Sequence, residues 1–179
     1  MRPFSRFALA ALAAAALAAP LKAEEPRIGV EGLVNLPLGD LKDFVDSKPG
    51  FTVGAIGTFD LGAGNVLRPR LDYTSYPNAN LTNLRNEASN VELGCDYLYF
   101  FAQRPEAFYL LGGLSAVRWS FSSDAGLGKV STDTTKVGLD LGGGYQWNRT
   151  VGTELRYTRS KIGSDFTAHA VQAGVTIRF

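Results

Sequence analysis

Cysteine is almost missing from this chain of 179 residues: Cys95 stands alone, so no internal disulfide supports the fold. Histidine is as scarce, and with His169 by itself a multi-histidine metal site is excluded. Charge of either sign barely dominates. The formal net charge is +1, without the basic excess that nucleic-acid binding draws on. Long apolar runs are lacking too. The stretch at residues 8–19 falls short of the roughly twenty residues that a membrane-spanning helix needs. Disulfide scaffolds, histidine-clustered metal enzymes, nucleic-acid binders and helical membrane proteins are thereby set aside.

The stretch at 8–19 has another use. Arg2 and Arg6 precede it, Pro20 follows, and Ala23 offers a small residue for cleavage. A basic head, an apolar middle and a small-residue cut make a secretory signal peptide. Residues 1–23 are expected to be removed, leaving 24–179 as one domain. Losing Arg2, Arg6 and Lys22 leaves that domain slightly acidic.

What the chain has in abundance is alternation of period two, the mark of a strand with one apolar face. Near its end, Val171, Ala173, Val175, Ile177 and Phe179 share one face, with Ala170, Gln172, Gly174, Thr176 and Arg178 on the other. The pattern recurs at 28–36, 51–61, 66–75, 91–101, 108–119, 136–147 and 151–157, which makes eight strands in all. Each has about the nine to eleven residues of a tilted membrane strand. Leu67, Leu71 and Tyr73 oppose Arg68, Arg70, Asp72 and Thr74; Cys95 joins an apolar face as a small hydrophobe. Segment 108–119 is apolar on both faces, and Arg118 points to Tyr109, Leu111, Val117 and Trp119 as its outer side.

The links alternate in length. Those at 38–50, 76–90, 120–135 and 159–168 are long and polar, and those at 62–65, 102–107 and 148–150 are short. Membrane barrels place short turns on the periplasmic side and long loops outside, which puts both termini in the periplasm. Aromatics gather at the strand ends: Phe59, Tyr99, Phe101, Tyr109, Tyr145, Trp147 and Phe179 at one, Phe51, Tyr73, Trp119, Phe121 and Tyr157 at the other. Two girdles flanking an aliphatic band suit a membrane, because the rings tolerate one wet edge.

The opposite face carries Glu31, Arg68, Arg70, Asp72, Glu92, Asp96, Lys136, Asp140, Glu154, Arg156 and Arg178. Gly54, Gly94, Gly138, Gly142, Gly144 and Gly174 lie among them, as a crowded eight-strand interior requires. Near-equal numbers of each sign predict an internal salt-bridge network, since unpaired inward charges are costly. A soluble lipocalin-type barrel would reverse these faces. Pro69, inside the third strand, removes a ladder hydrogen bond and calls for a bulge. In the first long link, Leu41, Phe44 and Val45 recur at helical spacing behind Asp40 as a possible N-cap. A short amphipathic turn of helix is expected there, over the barrel mouth or the outer lipid interface. The other long links, rich in Ser, Thr, Asn and Asp, are expected to be mobile.

With "VGTELRYT" at 151–158, "LDLGGGYQW" at 139–147 and a last strand reaching Phe179, residues 27–179 resemble the eight-stranded OmpA/OmpX type of outer-membrane barrel and the wider family that includes opacity-type surface proteins. The resemblance implies an all-β fold: an eight-stranded antiparallel transmembrane up-and-down β-barrel with a side-chain-filled polar interior. It also implies an integral place in a Gram-negative outer membrane, among outer-membrane lipid and lipopolysaccharide. In that family the assembly machinery reads the terminal aromatic, here Phe179. Family members include adhesins, structural anchors, conduits and a few enzymes, so fold alone leaves function open. The expected function is non-enzymatic, structural or surface-binding through the extracellular loops. No catalytic residue, cofactor, metal or nucleic-acid partner is expected.

Two alternatives carry sequence features. A lipid A-modifying barrel needs a histidine paired with serine and an acid at the outer rim; His169 follows Ser160, Ser164 and Asp165, although Ala170 replaces the adjacent serine of the deacylase type. A conduit for small apolar molecules needs an apolar lumen, whereas this one reads as charged and filled. Gly126-Leu127-Gly128-Lys129 has Ser123 where a phosphate loop has its first glycine, and no strand–loop–helix context surrounds it.

Overall fold

The structure, a computed structural model, describes residues 26–81, 84–102, 106–124, 129–163 and 166–179. The signal-peptide reading, on residues 1–23, lies outside the described residues. Strands β1 (Arg27–Leu38), β2 (Gly50–Gly62), β3 (Asn65–Leu81), β4 (Leu84–Phe100), β5 (Ala107–Asp124), β6 (Lys129–Gln146), β7 (Val151–Lys161) and β8 (Thr167–Arg178) form one closed antiparallel barrel in chain order. β1 shuts it by pairing on both sides, Val30 lying opposite Ala55 of β2 and Ile177 of β8.

Side chains alternate as the period of two demands. Val30, Val53, Leu71, Leu93, Leu139 and Leu155 face out and are exposed; Glu31, Thr52, Arg70, Glu92, Asp140 and Arg156 face in and are buried. Apolar outside and polar inside is the arrangement for a barrel surrounded by lipid, which supplies the apolar partner that water cannot.

β5 departs from expectation. Tyr109, Leu111, Val117 and Trp119 point inward, at 1%, 4%, 3% and 5% exposure, while Phe108, Leu110 and Leu114 face out. Phe121 stacks on Trp119, centroids 5.3 Å apart, and so leaves the girdle as well. Arg118 does not mark the lumen: it faces out, exposed and paired with Asp133 at 3.1 Å.

β3 to β6 are also longer than expected, 17 or 18 residues against 11 to 13 for the other strands. Much of 76–90 and 120–135, expected as mobile loops, is strand: Tyr76 pairs with Ala88, Arg85 with Asp124 and Ser122 with Ser131. Along these extensions the outward face turns polar, so the alternation fades although the β-compatible Ser and Thr continue the ladder. The link at 159–168 shrinks likewise, since β7 reaches Lys161 and β8 begins at Thr167.

The expected helix is present as α1 (Gly39–Phe44), but Asp40 is not its cap. Leu38 takes the N-cap place, and the Asp40 carboxylate accepts the Thr167 backbone N–H at 2.8 Å, tying α1 to β8. Pro69 causes no bulge: the β2–β3 register passes from Ile56–Arg70 to Phe59–Leu67 unshifted, and the shift lies between Asp60 and Gly62. Opposite Pro69, Gly57 has no side chain to meet the ring. At the other end the β2–β3 turn is two residues, Ala63 and Gly64, both at positive φ (54° and 81°), the geometry that matches strand twist.

Candidate functional site

Three features merit attention: the charged layer in the lumen, the plug above it and the strand extensions beyond. In the charged layer Arg68 binds Asp96 at 2.8 Å and Glu154 at 2.6 Å. Arg70 binds Asp72, Glu92 at 2.5 Å, Asp140 at 2.6 Å and Asp96 at 3.2 Å. Arg156 binds Glu31 at 3.0 Å, Glu154 at 2.6 Å and Asp72 at 3.5 Å. The expected network is therefore formed, but among the described residues it is not in balance: three guanidiniums serve six carboxylates. Arg178 stands apart, over the Phe100 ring at 5.9 Å, and Lys136 is only half buried.

The inward glycines make this density possible. A Cβ on Gly94 would sit 2.9 Å from the Arg70 guanidinium, and Gly54 and Gly113 leave the same kind of room for Asp72 and Asp96. The Tyr109 hydroxyl donates to Glu154 at 2.9 Å. A planar guanidinium with five donors can hold several carboxylates at once, which a lysine could not. This layer fills the lumen, as the sequence led one to expect.

Above it, α1 closes the mouth. Leu41 and Val45, 1% and 2% exposed, pack among Tyr76, Ala88, Val117, Trp119 and Ala168. Phe44 meets Phe121 edge-on at 5.2 Å, and Phe121 meets Phe166 at 5.7 Å. Asn86 donates to the Phe44 carbonyl at 3.3 Å and Lys48 to that of Asn78 at 2.6 Å, pinning the segment to the strand extensions. The plug settles between the two sequence options: α1 folds over the mouth, not the lipid.

The extensions of β3 to β6 form a four-stranded blade past the rim. β6 pairs with β7 only from Gly138 onward, so among the described residues 129–137 find strand partners on β5 alone. Ser120 donates to Asp133 at 2.7 Å, and Ser122 meets Ser131 at 3.0 Å. The bonds from Ser120 and Arg118 hold the Asp133 carboxyl below the usual carboxylate range.

Of the residues singled out for lipid chemistry, the described pair His169 and Ser160 is not brought together. His169 Nδ1 lies 3.0 Å from the Tyr157 hydroxyl, on the strand face opposite to Ala168 and its cross-strand partner Ser160. Ser160 is buried toward the lumen, and Ser164 and Asp165 lie outside the described residues. Residues 126–128 of the glycine-containing loop also lie outside them. Sequence reasoning missed Tyr76 and Trp119 as parts of the plug. For Trp119 the signal was present in segment 108–119, apolar on both faces, which needs an apolar partner inside as well as lipid outside; Tyr76, in a link that reads as polar, carried no such signal.

Comparison with known proteins places this architecture. A profile for the outer membrane protein beta-barrel domain matches residues 7–179. Ail, the attachment invasion locus protein of Yersinia pestis, solved with the heparin analogue sucrose octasulfate, is similar at 13% identity and TM-score 0.64, covering 89% of this chain and all of its own. Neisserial surface protein A is 22% identical with TM-score 0.56, again over 89% of this chain and all of that one. The N-terminal barrel domain of Pseudomonas aeruginosa OprF is 12% identical with TM-score 0.58, over 88% of this chain and all of that one. At these identities the structures share the fold. A comparison with curated proteins gave no match.

Proposed function

This chain belongs to the outer membrane protein β-barrel domain family, and we propose that it acts there as a non-enzymatic surface-binding barrel whose blade docks an extended polypeptide segment of an external partner. The observation that supports this is the open β6 edge at 129–137. A row of backbone N–H and C=O groups without a strand neighbour is a template for one more strand. The barrel, braced by its ion pairs, is the rigid scaffold, and the blade is what it presents. On this reading α1 and the blade face outward, while the tight turns and both termini face the periplasm. Exposed Lys42, Arg159 and Lys161 on the outer rim suit the phosphates of lipopolysaccharide.

The test trims the blade at 78–85 and 124–130, sparing the plug residues Tyr76, Ala88 and Phe121, and blocks the β6 edge that remains with Thr135→Pro. The trimmed barrel is expected to assemble and to migrate with normal heat-modifiability. Cells displaying it should lose binding to immobilised extracellular protein by tenfold or more relative to the full chain. Equal binding by both would overturn the proposal.

Assembly gives a further expected result. The Phe179 ring is exposed, with its backbone N–H bonded to the Ile28 carbonyl at 2.8 Å. If the assembly machinery reads that ring, Phe179→Ser should leave secreted chain aggregated or degraded in the periplasm. Wild-type amounts of heat-modifiable protein in the membrane would show that the ring is not read.

A further inference from the structure

Between the plug and the charged layer lies a chamber roofed by Leu41, Tyr76 and Trp119. Its open space is about 10 Å³, room for a single water or ion. Four oxygen atoms of the residues that line it have no hydrogen-bond partner among the described residues: Asn90 Oδ1, Asp140 Oδ1, Ser160 Oγ and Gln172 Oε1. The residues that carry them are 6%, 0%, 4% and 5% exposed. An unsatisfied buried polar atom costs about 1–3 kcal/mol, so four around one small space call for a common partner. That partner must also suit the charge. The other oxygen of Asp140 already accepts from Arg70 and Ser115, at 2.6 and 3.2 Å, and the layer below holds three guanidiniums for six carboxylates.

We propose that this chamber binds a small, largely dehydrated cation, ligated by the oxygens of Asn90, Asp140, Ser160 and Gln172. One carboxylate with neutral amide and hydroxyl oxygens is a hard, oxygen-only donor set, the preference of sodium, potassium and calcium rather than of zinc or copper. The unpartnered indole N–H of Trp119, on the same lining, faces any water that stays on the ion. Such a site leaves no mark of the kind a sequence scan seeks, because its donors come from four strands and none is histidine or cysteine. Its role is to complete the charge balance beneath the plug and so to lock α1 over the mouth.

The experiment compares thermal unfolding of the detergent-folded barrel in choline, sodium, potassium and calcium chloride, at fixed pH and ionic strength. At least one of the three small cations is expected to raise the midpoint saturably by about 4 °C or more over choline, which is too large to enter. Ser160→Ala separates ligation from packing. A hydroxyl that binds nothing is better replaced by a methyl group, so without a cation site Ser160→Ala raises the midpoint in every salt. With the site, it lowers the midpoint in the stabilising salt and not in choline. Asp140→Asn is expected to abolish the salt effect; if that variant does not fold, Ser160→Ala decides alone. Sodium, potassium and calcium, tested separately, identify the ion. Equal midpoints in all four salts overturn the proposal, as does a salt effect that Ser160→Ala leaves intact. Midpoints that follow pH but not the cation also overturn it, assigning the charge balance to protons.

Discussion

Arg70→Met is expected to lower the unfolding free energy of the bilayer- or detergent-folded barrel by about 3–5 kcal/mol. Arg70 is the shared partner of Asp72, Glu92, Asp96 and Asp140, and its side chain is 1% exposed. Methionine fills much of the space but removes the guanidinium that Glu92 and Asp140 share and leaves Asp72 to Arg156 and Asp96 to Arg68, where water cannot screen the excess charge. Reversing the charge, as in Arg70→Glu, should be worse still. Lipid-facing Leu139→Ala is expected to cost only about 1–2 kcal/mol, because lipid follows the surface and no cavity remains. Adding Glu92→Gln to Arg70→Met should recover part of the loss, because it removes one repelling charge. Urea unfolding followed by heat-modifiable migration measures all four. Equal losses for Arg70→Met and Leu139→Ala would mean that the interior ion pairs contribute nothing net.

The second large effect belongs to the plug. Trp119→Ala is expected to cost about 3–5 kcal/mol, the range for deleting a buried indole with a cavity left behind. Trp119 is 5% exposed and stacked on Phe121, while Trp147, at 55%, faces outward. Trp147→Ala should therefore cost much less. Fluorescence distinguishes them directly. In bilayers carrying brominated acyl chains, Trp147 should be quenched, and a Trp147→Phe variant should retain an almost unquenched Trp119 signal. Quenching of Trp119 equal to that of Trp147 would return its ring to the lipid side.

The two predictions differ in how far the sequence carries them. Arg68, Arg70, Asp72 and Glu92 alternate with Leu67, Leu71, Tyr73, Val91 and Leu93, so strand identity, facing and the charged lumen follow from period two. Once one face must meet lipid and the other must not, parity fixes every residue of such a strand. Segment 108–119 offers no such contrast, and there Arg118 pointed to the wrong face. Its exposed guanidinium faces out and pairs with Asp133 on the neighbouring strand, a partner that neighbours along the chain do not report.

By itself, then, the sequence determined the closed eight-stranded barrel, its apolar exterior and the short helix at the first link. These rest on local periodicity and on the constraint that a membrane strand must satisfy its backbone with neighbouring strands. Only the tertiary structure decided the rest. It turned Trp119 and Tyr109 inward, extended β3 to β6 into a blade with an open edge, gave Arg70 four acidic partners, and gathered Asn90, Asp140, Ser160 and Gln172 from four strands around one chamber. The physical reason is that these features depend on the stagger of strands far apart in the chain. Alternation fixes which side of a strand a residue takes, whereas register and tilt fix how high it sits and what it meets across the lumen.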